Sequence, residues 1–277
     1  MTQTIDHAAA QDIDAILREA TRTEILPRFR RLTEDAVRAK NGPQDIVTDA
    51  DEAAERRITA ALHARFPGCL VVGEEACESD PSLLQQIADA PLSFMVDPVD
   101  GTSNFAAGLP LFGVMAAAVS HGRVIGAWIH DPLGNDTAIA LAGQGAWIAD
   151  AAGRKLSDLR ASTAKPVGEM VAAISWRYLP KPQQAEVAGR LPAFAAVVGF
   201  RCSAHEYRAL AGGHLDVLLY NRLKPWDHAP GWLLHQEAGG FAARFDRSGY
   251  NATTHDGGLI LAPDEASWEA ARTALLG

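Results

Sequence analysis

The sequence predicts a layered α/β or α+β fold, on three observations. The chain has 277 residues, of which 48% are hydrophobic, which is enough for a large buried core. Residues 94–149 contain successive strand-like segments separated by Gly- and Asn-containing turns, a pattern typical of an antiparallel meander. After residue 170, strand-like segments alternate with helical patterns. Helices and strands that alternate around a meander pack as layers.

The N-terminal region predicts two amphipathic helices and one short strand. Residues 8–31 place apolar side chains near helical spacing, and Thr48 can cap a second helix whose apolar stripe runs to Phe66. Between these helices, KNGPQD at 40–45 is predicted as a turn. A Pro-Gly pair ends the second helix, and CLVV at 69–72 is predicted as a strand that runs into Gly-Glu-Glu.

The rest of the chain predicts ten strands and four helices. The strands are predicted at 94–97, 111–120, 124–131, 137–142, 146–150, 170–175, 196–200, 216–220, 240–245 and 259–262. The helices are predicted at 183–191, 203–212, 228–238 and 264–275. No linker is long enough to separate domains, so we expect one domain over 1–277, with an N-terminal half at 1–150 and a C-terminal half at 151–277.

Charge and cysteine content argue against several classes of function. The chain has 25 Lys and Arg residues and 34 Asp and Glu residues, and the resulting net charge of −9 makes nucleic acid and anionic membranes unlikely partners. Cys69, Cys77 and Cys202 have no zinc-site spacing, which predicts reduced thiols. We expect no signal peptide, and Gly, Asn and Pro interrupt the uncharged run at 101–120. These features predict a cytoplasmic protein.

Acidic residues stand at the ends of several predicted segments. CLVV is followed by Glu74 and Glu75, SFMV by Asp97 and Asp100, and LKPW by Asp227. Because strand ends are where sites are built in open α/β sheets, we expect most of these carboxylates to converge. Converging carboxylates repel one another, and a hard cation relieves that repulsion. With no His or Cys ligands beside them, the acids predict a Mg²⁺ site.

The remainder of DPVDGTSNF, residues 97–105, indicates phosphate chemistry. Pro98 fixes φ between the two acids, and a strand-end turn can point the Val99 carbonyl inward as another oxygen ligand. Gly101 and Thr102 then open a short helix whose N–H groups can bind an anion. Metal ligands beside a phosphate site, without a Walker-type GxxxxGK[ST] motif, predict hydrolysis rather than NTP-driven transfer.

Four segments together resemble the motifs of the inositol monophosphatase family, Mg²⁺-dependent and Li⁺-sensitive phosphomonoesterases. They are KNGPQDIVTDAD at 40–51, GEE at 73–75, DPVDGTSNF at 97–105 and LKPWDHAPGWLLHQEAGG at 223–240, and they occur in family order. The resemblance implies a layered α-β-α-β-α sandwich like that of inositol monophosphatase and fructose-bisphosphatase. Its N-terminal sheet would be mixed and largely antiparallel, and a second sheet would lie in the C-terminal half. The resemblance also implies a homodimer.

The same resemblance implies a role for each matching residue. Glu74, Asp97 and the Val99 carbonyl would hold one Mg²⁺, and Asp97, Asp100 and Asp227 a second, with Glu74 helping to hold a third. Thr102, hydrogen-bonded to Asp51, would orient and help deprotonate the attacking water, so the implied catalytic residues are Thr102, Asp51 and Glu74. The residues implied to contact substrate are Asp100, Gly101, Thr102, Ser203, Ala204 and Asp227. Lys40, Asp45 and Glu75 match outer or mobile-loop positions.

Several of these residues also have an ordinary structural interpretation. Asp51 fits the third residue of a capping box that begins at Thr48. Asp227 fits a favourable charge at a helix N-terminus, and Glu74 and Glu75 fit a solvated loop. The motif context favours the functional interpretation for Asp51 and Asp227, whereas both interpretations stay open for Glu75.

The leaving group is the open part of the prediction. Relatives that prefer inositol phosphates carry Glu seven residues before the PWD aspartate, where this chain has Tyr220, and Cys202 stands where relatives commonly have Gly. We predict an enzyme that hydrolyses a small polyol or sugar phosphate, such as inositol 1-phosphate, by in-line attack of metal-activated water. The alternatives are a histidinol-phosphate or fructose-1,6-bisphosphate phosphatase on the same scaffold, and a non-catalytic binding or regulatory relative.

Overall fold

A computed structural model describes residues 4–42 and 45–277. Within these residues the α-helices are α1 His7–Ala20, α2 Asp49–Arg65, α3 Glu74–Ser79, α4 Leu83–Gln86, α5 Thr102–Ala106, α6 Lys181–Arg190, α7 Ser203–Ala211, α8 Pro225–Glu237 and α9 Glu265–Leu276. The strands are β1 Val37–Gly42, β2 Asp45–Thr48, β3 Leu70–Gly73, β4 Ser93–Asp100, β5 Gly113–Ser120, β6 Arg123–Asp131, β7 Asp136–Leu141, β8 Gly145–Ala149, β9 Lys155–Asp158, β10 Val171–Ile174, β11 Ala196–Val198, β12 Val217–Tyr220, β13 Phe241–Arg244 and β14 Leu259–Ala262.

The first predicted helix ends earlier than the sequence pattern indicated. Regular α-helix stops at Ala20, and a π-helical turn, Thr21–Ile25, follows it. The Thr23 hydroxyl donates to the Glu19 carbonyl at 2.8 Å, a side-chain bond that competes with the backbone ladder. Pro27 then lacks the N–H group that a continuing helix needs.

The segment predicted as a turn at 40–45 is mostly strand. Lys40 belongs to β1, which pairs antiparallel with β2 to form a separate two-stranded sheet. The intervening Pro43 and Gln44 lie outside the described residues, as does the side chain of Asp45. The sequence pattern also missed β9 at the edge of the large sheet.

The large sheet has seven strands in the order β3-β4-β5-β6-β7-β8-β9. Strands β3 and β4 are parallel, and every later neighbour pair is antiparallel, which confirms the predicted meander. The uncharged run at 101–120, whose length invites comparison with a membrane span, forms α5 and β5. None of the helices in the described residues is both long and apolar enough to span a bilayer.

Alternation along the strands sorts side chains between two cores. In β4, Phe94 and Val96 pack with residues of α1 and α2, whereas Met95 packs on the opposite face with α7 and α8. Successive side chains of a strand point to opposite faces, so one strand serves both layers. The seven-stranded sheet therefore lies between two pairs of helices.

The second sheet has five strands in the order β11-β10-β12-β14-β13. Strands β10, β11 and β12 run parallel, so their carboxyl ends lie at one edge. Leu218 of β12 packs toward α7 and α8, whereas Val217 and Leu219 pack in the outer core with α6 and α9. The order of layers is thus α1/α2, seven-stranded sheet, α7/α8, five-stranded sheet, α6/α9, which confirms the predicted α-β-α-β-α arrangement.

Candidate active site

The candidate site begins at an irregularity near the end of β4. Asp97 pairs with Met115 and Asp100 with Gly113, so three steps along β4 match two along β5. The extra residue is accommodated at Pro98-Val99, where proline removes one ladder donor and the Val99 N–H turns back to Asp97 Oδ1 at 3.0 Å. This bulge aims the side chains of β4 at the site.

The chain reverses at Gly101 and enters α5. Gly101 has φ +86°, and a Cβ there would lie 2.9 Å from the Leu111 carbonyl oxygen and 3.1 Å from the Cys202 side chain. Glycine fits this position because it tolerates positive φ and has no Cβ. The turn places Thr102 at the start of α5.

Asp51 is both a helix cap and a partner of Thr102. Its carboxylate accepts the Thr48 N–H at 2.9 Å and contacts the Thr48 hydroxyl, which completes the predicted capping box. Its other oxygen lies 3.2 Å from Thr102 Oγ1, which is also 3.0 Å from the Val99 carbonyl. Asp51 is 1% exposed, and burial raises its pKa to about 7 despite the Thr48 hydrogen bonds.

Asp97 and Asp227 meet although they are 130 residues apart in the sequence. Asp227 lies in the first turn of α8, and the two carboxyl groups hydrogen-bond to each other. Burial, together with the negative charges of Glu74 and Asp100, raises the pKa of both groups well above the ordinary value. A shared proton is the expected arrangement for two such carboxyl groups.

Asp100 is held by the start of α7. Its Oδ1 accepts the Ser203 hydroxyl at 3.0 Å, and its Oδ2 accepts the Ala204 N–H at 2.7 Å and the Cys202 thiol at 2.9 Å. This contact links the C-terminal half to the end of β4. It also brings Ser203 and Ala204, two of the predicted substrate contacts, beside the acidic residues.

Glu74 lies at the start of α3 and is paired with Lys40 of β1. The Lys40 ammonium lies 2.9 Å from Glu74 Oε1 and 2.6 Å from Glu75 Oε1. Burial opposes the charge on Lys40, but these two carboxylates outweigh it and hold the pKa of Lys40 above its ordinary value. Burial, followed by the charge of Glu74, raises the pKa of Glu75 to about 8.

Sequence reasoning missed Glu55, which shapes the turn before Glu74. The Glu55 carboxylate accepts the N–H groups of Glu75 and Ala76, both at 2.8 Å, and so caps α3 from the neighbouring helix α2. Gly73 is required here because a Cβ would lie 2.3 Å from the Glu55 carboxylate. Glu55 lies four residues after Asp51, so both side chains face the same side of α2. This spacing was the signal in the sequence that could have identified Glu55.

A second missed carboxylate is Glu206, on α7. Its Oε1 accepts the Phe200 N–H at 2.9 Å, and its Oε2 accepts the Tyr220 hydroxyl at 2.5 Å. Both Glu206 and Tyr220 are 6% exposed. Residue 220, where the family resemblance implies Glu for inositol phosphates, is therefore a phenol whose hydrogen bond goes to a buried carboxylate.

The structure thus brings the predicted residues together in pairs. Asp97 meets Asp227, Asp51 meets Thr102, and Asp100 meets the start of α7. As they stand, no three His, Cys, Asp or Glu side chains in the described part of the chain form a ready set of metal ligands. Hydrogen-bond donors hold the oxygens of Asp51 and Asp100, and the Lys40 ammonium contacts Glu74.

Comparison with known proteins agrees with these motifs and with the layers. The family model described as the inositol monophosphatase family matches residues 2–275. Nus factor SuhB of Escherichia coli strain K12 is 32% identical over 220 residues, which cover 77% of each chain. The fructose-1,6-bisphosphatase/inositol-1-monophosphatase of Thermotoga maritima is 30% identical over 223 residues, covering 79% of this chain and 78% of the relative.

A solved structure shows the same fold. The native crystal structure of extragenic suppressor protein suhB from Bartonella henselae superposes with a TM-score of 0.81 at 25% identity, covering 97% of this chain and 98% of that chain. This similarity confirms the predicted fold class, and the family match confirms the resemblance seen in the sequence motifs. The chain belongs to the inositol monophosphatase family.

Proposed function

We propose that this chain is a Mg²⁺-dependent phosphomonoesterase that hydrolyses a small polyol or sugar phosphate. One observation carries the proposal: the Thr102 hydroxyl contacts the buried Asp51 carboxylate within the same site as the Asp97–Asp227 pair. The Thr102 hydroxyl and its proton acceptor, Asp51, therefore lie in the same site as the carboxyl groups of Asp97 and Asp227. The family, and the name of the T. maritima relative, support a phosphatase.

The donor chemistry of the site fits Mg²⁺. The five groups that we assign to hold it are the carboxylates of Glu74, Asp97, Asp100 and Asp227 and the carbonyl of Val99. All are hard oxygen donors. Burial, followed by the negative charges of Glu74 and Asp100, raises the pKa of Asp97 and of Asp227, and a divalent cation would neutralise that negative charge. Bound there, two or three Mg²⁺ ions would supply water activation and charge stabilisation of the transferred phosphoryl group.

The residues of this chain position the reactants and hold the proton. A pKa of about 7 suits Asp51 to accept a proton near neutral pH. Thr102 connects it to the attacking water, because its hydroxyl can accept from the water while donating to Asp51. The N–H groups of Gly101 and Thr102 bind phosphate oxygens at the start of α5. Ser203 and Ala204, which donate to Asp100, contact substrate as well.

A phosphate-release assay tests this function. Inositol 1-phosphate, histidinol phosphate and fructose 1,6-bisphosphate are each incubated with the protein, with Mg²⁺ and with EDTA. We expect release from at least one compound in Mg²⁺ alone, and a loss of about 10³-fold or more in kcat for Asp97→Asn. Asp89→Asn, a change of an exposed carboxylate, is the matched control and should keep full activity. Release that EDTA leaves unchanged would overturn the proposal.

A regulatory binding protein is the second candidate. Its support is the name of the 32% identical E. coli relative, a Nus factor. For that reason we do not retain the expectation from net charge that nucleic acid is an unlikely partner. A protein inert toward the whole panel in Mg²⁺ would favour this candidate over the enzyme.

Two further parts of the proposal follow from the family resemblance alone. We propose that the protein is a homodimer and that Li⁺ inhibits it. Light scattering coupled to size exclusion measures the first property, and a LiCl titration of phosphate release, with NaCl as the matched salt control, measures the second.

A further inference from the structure

The beginning of α7 supplies three hydrogen bonds to Asp100, one of the carboxylates that we assign to Mg²⁺. The Cys202 thiol and the Ala204 N–H donate to Asp100 Oδ2, and the Ser203 hydroxyl donates to Asp100 Oδ1. Three donors on two oxygens fix the direction in which the carboxylate points, and donors of this kind tune how tightly a metal ligand holds its ion. The position of α7 relative to the end of β4 therefore matters to the proposed site.

The backbone of β5 determines how closely α7 approaches Asp100. Gly113 lies opposite Asp100 in the register of β4 with β5, and a Cβ on Gly113 would lie 2.6 Å from Ala204 Cβ. The same Cβ would lie 3.3 Å from the carbonyl oxygen of His130 on β6. Ala204 thus packs directly on the sheet backbone. Because hydrogen bonds weaken steeply with distance and angle, a small shift of α7 over this surface would weaken its contact with Asp100.

Arg208 fastens α7 to the same end of the large sheet. It lies four residues after Ala204, about one helical turn along α7, so both side chains are on the face toward the sheet. The Arg208 guanidinium donates to the Ile129 carbonyl at 2.9 Å and pairs with the carboxylate of Asp136. The Arg208 side chain is only 15% exposed. A guanidinium with one partner on β6 and another on β7 makes a directional contact that resists sliding of the helix.

The Asp136 partner of Arg208 is itself held from the opposite face of the sheet. Arg18 of α1 donates to the main-chain and side-chain oxygens of Asn135, both at 3.0 Å, and to the Thr137 hydroxyl at 2.9 Å. Asn135 and Thr137 flank Asp136, so the start of β7 cannot move without breaking contacts with α1. Arg208 therefore binds a point that is fixed on both sides of the sheet.

We propose that Arg208 is a positioning residue of the candidate active site, because it holds α7 on the sheet and so keeps the donors of α7 on Asp100. The consequence of this positioning rests on the proposed function: an oriented Asp100 carboxylate raises the affinity of the site for Mg²⁺. Arg208 acts through α7, about one helical turn from the donors, and is not among the groups that we assign to contact Mg²⁺ or substrate. Ser203 and Ala204, which we also assign to contact substrate, are positioned by the same contact.

Hydrogen exchange tests the positioning without metal or substrate. In EDTA, the Ala204 amide of Arg208→Met should exchange about tenfold faster than that of wild type, as followed by NMR, because the loss of a charged hydrogen-bond donor eases local opening. Methionine keeps the apolar stem of the side chain. Calorimetric titration should then give a Kd for Mg²⁺ about tenfold higher than that of wild type. Arg208→Lys keeps the charge without the planar fork, so it should give intermediate values in both measurements.

Arg272→Met is the matched control. Arg272 of α9 also donates to a main-chain carbonyl, that of Phe245 at 2.9 Å, and lies 3.8 Å from a carboxylate oxygen of Glu269, with a side chain that is 20% exposed. It belongs to the helix layer on the far side of the five-stranded sheet. Arg272→Met should therefore leave the exchange of the Ala204 amide and the Kd for Mg²⁺ at their wild-type values, even where urea unfolding shows that it destabilises the protein as much as Arg208→Met does.

A double variant tests whether the contact with Asp136 carries the effect. Asp136→Asn should reproduce part of the change, and Arg208→Met/Asp136→Asn should exchange no faster at Ala204 than Arg208→Met alone, because both substitutions break the same contact. Additive effects in the double variant, or wild-type exchange at Ala204 in Arg208→Met and Arg208→Lys, would overturn the inference. A Kd for Mg²⁺ that neither Arg208 variant changes would overturn it as well. Wild-type protein that binds no Mg²⁺ would count against the proposed function alone, and faster exchange at Ala204 in Arg208→Met would still support the positioning of α7.

Discussion

Replacement of Asp51 by Asn should make the protein more stable and less active. Asp51 is 1% exposed, and burial raises its pKa from 3.8 to about 7. Because its pKa is higher in the folded state than in the unfolded state, folding favours the protonated carboxyl group, and stability falls as pH rises between about 4 and 7. A shift of about 3 pH units at 1.36 kcal/mol per unit gives a penalty of about 4 kcal/mol above pH 7.

Asparagine is the conservative probe of this penalty. Its oxygen can still accept the Thr48 N–H and its amide can donate to the Thr102 hydroxyl, so the local geometry is kept while the charge is removed. Chemical unfolding in EDTA should show Asp51→Asn more stable than wild type by up to about 4 kcal/mol at pH 8 and about equal to it at pH 4. Loss of the proton acceptor should lower kcat by about 10²- to 10⁴-fold in Mg²⁺.

The neighbouring Asp49 supplies the control for this experiment. It lies in the same first turn of α2, but its side chain is 52% exposed and paired with Arg38. Asp49→Asn should change stability by less than about 1 kcal/mol at either pH. The reasoning fails if Asp51→Asn is less stable than wild type at pH 8, or if its stability difference from wild type is the same at both pH values.

Three other predictions concern the end of β4 and the turn after it. Asp97→Asn should abolish the Mg²⁺-dependent stabilisation of wild type, about 2.7 kcal/mol for one site at 100 times Kd; a Mg²⁺-induced rise in Tm equal to that of wild type would contradict the metal assignment. Thr102→Val should lower kcat about 10²-fold in steady-state assays with little change in KM, and Thr102→Ser should restore it because it keeps the hydroxyl; an unchanged kcat in the valine variant would remove the proposed role. Gly101→Ala should destabilise the protein by about 1–3 kcal/mol in urea unfolding, because the new Cβ would lie 2.9 Å from the Leu111 carbonyl oxygen at φ +86°. Gly68→Ala, at φ +82° with open space around its Cβ, measures the backbone strain alone and should cost less.

Sequence reasoning located the residues that follow apolar runs. The run before Asp97 is recognisable as a strand, and the apolar pattern after Asp227 is recognisable as a helix, so both acids could be placed at the ends of elements. Their contact follows because the end of β4 and the start of α8 meet between the two sheets. The local pattern of apolar residues thus predicts the strand or helix that carries each acid, whereas the packing of the layers determines that the two acids meet.

The two buried glutamates could not be found in that way. Glu55 binds N–H groups 20 and 21 residues away, and Glu206 binds a tyrosine 14 residues away. Both lie on helices where an acid usually faces solvent, and only packing turns them inward. The hairpin β1–β2 was not predicted from the sequence for a related reason. The β1 sequence VRAKNG has no clear alternation of apolar and polar residues, and β1 pairs with β2 in a separate sheet.

The charges that make this site useful also weaken the fold around it. Burial raises the pKa of Asp51, Asp97 and Asp227, so the ionisation of these groups lowers the stability of the folded chain as pH rises. Lys40 offsets part of this repulsion, since its ammonium lies against Glu74 Oε1, an oxygen that we also assign to Mg²⁺. If Mg²⁺ binds Glu74 as proposed, it competes with the Lys40 ammonium for that oxygen, and the position of β1 would then be coupled to occupation of the site. Substitutions that remove the buried charges relieve the repulsion only by removing the groups that do the chemistry, so stability and turnover should move in opposite directions throughout the set.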